Sequence, residues 1–300
     1  MAMPIRQCIR TSIYSLLVHS GLRDWRAAHW LRTIAASIIA PTDFRAAQRK
    51  SASDQSLSSH EVALLEKTSL KVHRNDEMYV PLDAKHYLST GLGALRCIES
   101  ALQRTAGRRP VQSILDFPCG YGRVLRFLRA RFPEADITVS ELDKGGLEFC
   151  SRTFSARAVQ SDTDFSRLSI TGRFDLIWCG SLLTHLDENS AAKLIQFFYE
   201  HLAPQGTCLF TTHGRASVDY VRQSRRAYGL NASRRQALLL QYDERGYGYA
   251  DYSGKRGFGV SVASPERMLS LARSVGHWHT LSFLERGWDN HQDVYIGELA

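Results

Sequence analysis

No two cysteines in this 300-residue chain stand in a CxxC arrangement. The six, at positions 8, 97, 119, 150, 179 and 208, are too scattered to staple a small domain or build a zinc site. They read as reduced thiols of a cytoplasmic protein, and no metal is expected. Long apolar runs are also missing. Arg23, Asp24, Arg26 and Arg32 interrupt the one region that approaches the roughly 20 apolar residues of a membrane-spanning helix. No GK[ST] follows the glycine turn at Gly120 and Gly122, which removes the phosphate loop of nucleoside triphosphatases. With 44% hydrophobic residues the chain has material for one large domain and an appended segment, so a disordered protein is excluded.

The net charge of +8 is uneven. Residues 1–50 hold eight Arg or Lys against Asp24 and Asp43, whereas the remainder holds 30 basic against 28 acidic residues. A nearly balanced main domain argues against a nucleic-acid partner. In the basic arm Ala27, Ala28, Leu31, Ile34, Ala35, Ile38 and Ile39 recur at helical spacing, and Pro41 is expected to stop that helix. Packing of this amphipathic helix on the main domain is the first reading, and peripheral contact with an anionic membrane surface is the second. Ser51 to Ser59 reads as a linker or exposed loop. The division expected is a basic helical extension over 1–80 and a main domain over 81–300.

From Ala84 a helix is expected to run to Gly107. Strands then alternate with helices: strands at 111–117, 135–141, 156–160, 174–179 and 207–212, helices at 122–131, 145–154 and 188–202. Asp187 is a plausible N-cap, and Pro204 and Gly206 close the last helix. This rhythm predicts an α/β, doubly wound, mostly parallel sheet with helices on both faces. It is lost after 212. Two Arg-rich helices are expected over 214–245, and the Gly and aromatic stretch 246–259 suits a mobile substrate cover, the whole insertion covering about 214–262. A helix capped by Ser264 and Pro265 and strands near 278–285 and 292–298 complete the chain.

In a doubly wound sheet ligands bind beyond the carboxyl ends of the strands. Three such ends carry acids: Asp116 before Phe117-Pro118-Cys119-Gly120-Tyr121-Gly122, then Glu141-Leu142-Asp143, then Asp162. Gly120 and Gly122 can take positive φ and let a ligand approach the main chain. Asp116 decides between ligands, because its charge would repel a dinucleotide pyrophosphate and attract a cation. Glu141 suits two ribose hydroxyls and Asp162 an adenine amino group. S-adenosylmethionine, with a sulfonium, an ammonium and no phosphate, meets all of these conditions.

Residues 111–213 resemble the core of a class I S-adenosylmethionine-dependent methyltransferase. The resemblance lies in Ile114 to Gly122, Glu141, Asp162, Phe174 to Trp178, Thr184-His185-Leu186 and Leu202 to Gly206. The family more often has Gly where Pro118 and Gln205 stand, which puts one backbone contact at Pro118 in doubt. It implies a seven-stranded Rossmann-like sheet with the last strand antiparallel, and a cofactor lined further by Leu142, Cys179 and Gly180. Asp76-Glu77-Met78-Tyr79, His86-Tyr87 and Trp288 to Asp293 are similar to segments of methyltransferases encoded with bacterial glycan and polysaccharide enzymes.

The sulfonium is already an activated electrophile, so the protein's task is positioning, plus a general base where the acceptor is a hydroxyl. His185, His213 and His291 are the candidates, for each of which a structural or surface role is the alternative. Three functions are compatible with these residues: methyl transfer to a polar acceptor such as a sugar or glycan hydroxyl, N- or C-methylation of a small metabolite, and S-adenosylmethionine binding without catalysis.

Overall fold

The computed structural model describes residues 40–50, 56–104 and 110–300. The strands are β1 (Ser113–Asp116), β2 (Asp136–Glu141), β3 (Arg157–Gln160), β4 (Phe174–Cys179), β5 (Leu202–Thr212), β6 (Tyr247–Asp251), β7 (Gly259–Ala263), β8 (Thr280–Trp288) and β9 (Gln292–Glu298). The helices are α1 (Ser59–Lys67), α2 (Ala84–Gln103), α3 (Leu125–Arg131), α4 (Lys144–Phe154), α5 (Glu188–His201), α6 (Arg215–Arg222), α7 (Ala232–Arg245) and α8 (Pro265–Val275).

Seven strands form one sheet in the order β3-β2-β1-β4-β5-β9-β8. The first five are parallel, and β9 is antiparallel to both of its neighbours. Winding starts at β1, runs outward to β3 and returns to β4, so the direction reverses between β1 and β4. A ligand crevice belongs at that point. The central strand β4 is buried along its whole length, which is why all of its residues but Asp175 are apolar. Ile114, Leu176, Trp178 and Leu209 face one core with α2 and α3, while Leu115, Ile177, Cys179 and Phe210 face a second core with α5 and α8.

Several local expectations change. The arm helix expected over 27–39 lies outside the described residues. Residues 40–50 are helical, with Ala40, Asp43, Phe44 and Ala47 buried at helical spacing. Ser59 is helical rather than linker, because Ser58 and Glu61 form a reciprocal capping box that starts α1. Strand β5 begins at Leu202, not 207: Phe174 pairs with Leu202 and Leu176 with Thr207, so the segment between bulges out and Gln205 adopts φ 61°. The stretch read as a mobile cover forms an antiparallel β6–β7 hairpin. Two of its glycines serve close packing, since a Cβ on Gly248 would sit 2.1 Å from the Leu238 carbonyl oxygen and one on Gly259 2.0 Å from that of Ala250. Among the described residues no helix is long and apolar enough to cross a membrane.

Arg126 is buried in α3, and its charge is met by carbonyl oxygens and ring faces. Nη1 donates to Ser69 O at 2.5 Å, both Nη atoms reach Lys71 O at 3.3 Å, and Nε donates to Gly122 O at 3.2 Å. Nη2 also donates to the Tyr87 hydroxyl at 3.3 Å, and the rings of Phe44, Tyr87 and Phe154 lie 5.2–5.6 Å from the guanidinium carbon. Arg126→Leu would strand these acceptors in the core. We expect it to lower stability by about 3 kcal/mol, read as a fall in the urea midpoint.

Candidate active site

The crevice is built by the turn after β1. Cys119 N donates to Ser140 O at 3.1 Å and Gly122 N to Cys119 O at 2.9 Å, folding the chain back on itself. Gly120 (φ 52°) and Gly122 (φ 81°) occupy the left-handed region, and a Cβ on Gly122 would meet the Phe154 ring at 2.5 Å. Pro118 follows a cis peptide in this turn. Glu141 closes the ring of contacts: one carboxylate oxygen accepts from Gly120 N at 2.9 Å, the other from Leu142 N at 2.7 Å. The first two acid-bearing strand ends are therefore joined by a direct hydrogen bond.

Asp116 is 1% exposed, and its Oδ2 is buried without a hydrogen-bond partner. Burial, reinforced by the neighbouring Glu141 carboxylate, pushes its carboxyl well above the ordinary range. Such an orphaned buried oxygen calls for a cation or donor from outside the chain. Alongside lies a cleft of about 480 Å³ walled by Gly120, Tyr121, Glu141 and Asp143 on one side and by Asn75 to Met78 on the other. Tyr121 is fixed by donating to Asp143 Oδ2 at 2.6 Å and by stacking on His73 at 4.8 Å. Asp143 also caps α4 through Gly145 N, so its carboxyl sits below the usual range, first through the Tyr121 hydroxyl.

The other expected cofactor residues are spread more widely. Leu142 is exposed beside Glu141, an apolar surface on the rim. Asp162 follows β3, does not line that cleft, and accepts from Asp164 N at 2.8 Å. The Cys179 side chain is fully buried in the second core and does not line that cleft. Gly180 is glycine because a Cβ there would approach Trp178 and Trp288 to 3.0 Å. Beyond it Ser181 adopts φ 64°, held by Thr211 and Gln292, whose side chains bond its N and Oγ at 2.7 and 3.0 Å. The wall from Asn75 to Met78 had a signal in the Asp-Glu-Met-Tyr segment. The His73 stack had none.

The three candidate histidines cluster near the ends of β4 and β5. His185 is half-buried, its Nδ1 2.9 Å from Gly259 O and its ring stacked 5.0 Å from Phe258. His213 is buried with Nδ1 3.1 Å from Ser261 O, and its ring lies 5.3 Å from that of His291. Burial lowers the pKa of all three, most for His213, which falls to about 3. Among the described residues no group of three or more His, Cys, Asp or Glu is arranged to hold a metal ion.

Residues 114–206 match the family described as a methyltransferase domain. Over that stretch, about a third of the chain, it is similar to the class I S-adenosylmethionine-dependent methyltransferases. A curated relative, the malonyl-[acyl-carrier protein] O-methyltransferase of Priestia megaterium, is 31% identical over 106 residues, 35% of this chain and 38% of that protein. The chain thus matches well under half of that relative's length. Among solved structures it is similar to an S-adenosylmethionine-dependent methyltransferase of Clostridium acetobutylicum (15% identity, 71% of this chain and 92% of that one, TM-score 0.46). It is also similar to human N-acetylserotonin methyltransferase (12% identity, 97% and 70% covered, TM-score 0.47).

The residues of this methyltransferase domain fit S-adenosylmethionine. The orphaned Asp116 oxygen and the acids of the cleft suit a cationic ligand without phosphate, and the glycine turn leaves its backbone open, since nothing lies within 4 Å of a Cβ on Gly120. Glu141→Ala should weaken S-adenosylhomocysteine binding by about 1.5–3 kcal/mol in calorimetry, through lost ligand contacts and a loosened Gly120 turn. Asp116 tests the electrostatics separately. Its pKa is raised on folding, so the folded state favours the protonated carboxyl, and stability falls as pH rises from the ordinary carboxylate range toward the raised value. Asp116→Asn should therefore melt above wild type at pH 7 and converge with it at acid pH, while binding S-adenosylmethionine more weakly.

Proposed function

We propose that the protein is an enzyme that transfers a methyl group from S-adenosylmethionine to a polar acceptor, and that a sugar or glycan hydroxyl is the acceptor its site suits best. The methyl donor supplies an electrophile that needs no further activation. What the chain must contribute is alignment, exclusion of water and, for a hydroxyl, somewhere for the proton to go.

One observation carries this reading. Gly259 O can only accept, so His185 keeps its proton on Nδ1, and Nε2 is left as a lone pair. The Tyr252 hydroxyl, 3.2 Å from the same Nδ1, adds a second acceptor for that proton. Burial favours the neutral ring. The imidazole is thus held in the form that takes a proton, on the segment that follows β4. His213 has the same tautomer, but a pKa of about 3 makes it a weak base. The insertion over 214–262 supplies Tyr252, Phe258 and Gly259 around His185, which supports its role as a substrate cover.

The relative's name points to transfer onto oxygen of an acid carried as a thioester. A carboxylate acceptor of that kind needs no base at neutral pH. A metabolite nitrogen or carbon acceptor and cofactor binding without catalysis are the remaining alternatives, and labelled methyl transfer separates the last from the rest.

His185→Ala should reduce turnover of a hydroxyl acceptor by about 10² to 10⁴ with little change in S-adenosylhomocysteine affinity or melting temperature. Because its pKa is lowered, the acid limb of the wild-type pH profile should lie below 6.5 and disappear in the variant. A rate near wild type at saturating acceptor would remove His185 from the reaction, and would favour a carboxylate acceptor.

A further inference from the structure

Strand β7 lays its free edge along the segments that follow β4 and β5. Gly259 O accepts from His185 Nδ1, Ser261 O from His213 Nδ1, and Ala263 N donates to His213 O at 2.9 Å. These three residues alternate along the strand and so present the same edge. The two carbonyls are about 7 Å apart by strand rise, which sets the two imidazoles side by side. Since a carbonyl cannot donate, both rings turn an unprotonated Nε2 outward. Among the described residues the His213 ring is hydrogen-bonded through Nδ1 alone.

His291 is in the opposite tautomer. Its Nε2 lies 3.4 Å from Arg226 Nη1, which can only donate, and 3.3 Å from the Tyr228 hydroxyl. Nε2 therefore accepts, and Nδ1 carries the proton. That Nδ1 is buried with no partner, on a ring clamped between Tyr220 and Tyr228 at 6.0 and 5.9 Å and 5.3 Å from His213. Two adjacent rings thus offer an open lone pair and an unsatisfied N–H. A hydroxyl oxygen answers both at a single atom. An ammonium only donates, and a carboxylate or phosphate only accepts, so each would leave one ring unsatisfied.

We propose that His213 and His291 read a second hydroxyl of the acceptor, beside the one His185 deprotonates, so that the acceptor is a polyol. They are positioning residues: no proton is transferred at this pair, where the hydroxyl donates to His213 Nε2 and accepts from His291 Nδ1–H. His213 is suited to this role because burial keeps it neutral. The proposal rests on the methyltransferase reading and adds the class of acceptor to it.

The test is ¹⁵N-histidine NMR of the full chain saturated with S-adenosylhomocysteine and titrated in turn with methyl glucoside, inositol, methylammonium and acetate. The expected result is that a polyol moves the ring nitrogens of His213 and His291 while methylammonium and acetate do not. His291→Phe keeps a flat ring between the two tyrosines, and should raise the polyol dissociation constant about tenfold, the worth of one hydrogen bond. His213→Leu should do the same, and thermal melts of both variants identify any that fails to fold. Equal responses to methylammonium or acetate, no response to either polyol up to its solubility, or undiminished polyol binding by folded His291→Phe would overturn the proposal. Failure of S-adenosylhomocysteine itself to bind would overturn the methyltransferase reading, and the polyol reader with it.

Discussion

The structure depends on a buried charge that has been given oxygen dipoles instead of a counter-ion. Arg126 touches the glycine turn through Gly122, the segment before the cleft wall through Ser69 and Lys71, and α2 through Tyr87. Tyr87 in turn donates to Asp76 Oδ2 at 2.6 Å, and Asp76 lines the cleft. The two walls of the cleft are therefore tied to one guanidinium. Because an arginine cannot shed its charge to escape burial, any movement of one wall would have to find new acceptors for it. This makes the segment before α2 part of the crevice, although its sequence reads as an appendage.

On the other side of the crevice β7 has the same organising role, by shape rather than charge. Its free edge fixes the rings of His185 and His213, and Ser261 Oγ donates to Leu183 O at 2.7 Å. Tyr247 from β6 adds a bond to Leu186 O at 2.9 Å. The insertion thus docks on the segments after β4 and β5 by hydrogen bonds that each pair one side chain with a main-chain carbonyl, so the side chains of His185, His213, Ser261 and Tyr247 decide how it sits.

The doubly wound sheet was legible because its strands are short, apolar and separated by helices with recognisable caps, as at Asp187, which accepts from Ser190 N at 3.0 Å. Asp116, Gly120, Gly122 and Glu141 were legible because glycines at a strand end followed by a spaced acid leave few alternative structures. The hairpin at 247–263 was not. Gly248 and Gly259 suggest mobility when read in sequence, whereas their reason is contact with carbonyls of Leu238 and Ala250 that only the fold brings near. Likewise nothing local distinguishes Arg126 from the surface arginines around it, since its acceptors come from positions 69 and 71. Long-range partners are what a pattern of neighbours cannot reveal.

The site divides its electrostatics in a way that follows from the chemistry proposed for it. Carboxylates gather at the end proposed for the cofactor, where burial and the neighbouring Glu141 disfavour the charge of Asp116 and a cation would relieve it. At the acceptor end the titratable groups are histidines whose burial lowers their pKa and keeps them neutral. A carboxylate there would hold a proton too weakly at neutral pH and would compete for the cation. An imidazolium would repel it. A neutral imidazole with one nitrogen tied to a carbonyl avoids both, and its burial gives the remaining lone pair a surrounding in which a hydrogen bond to the acceptor counts for more than it would in water.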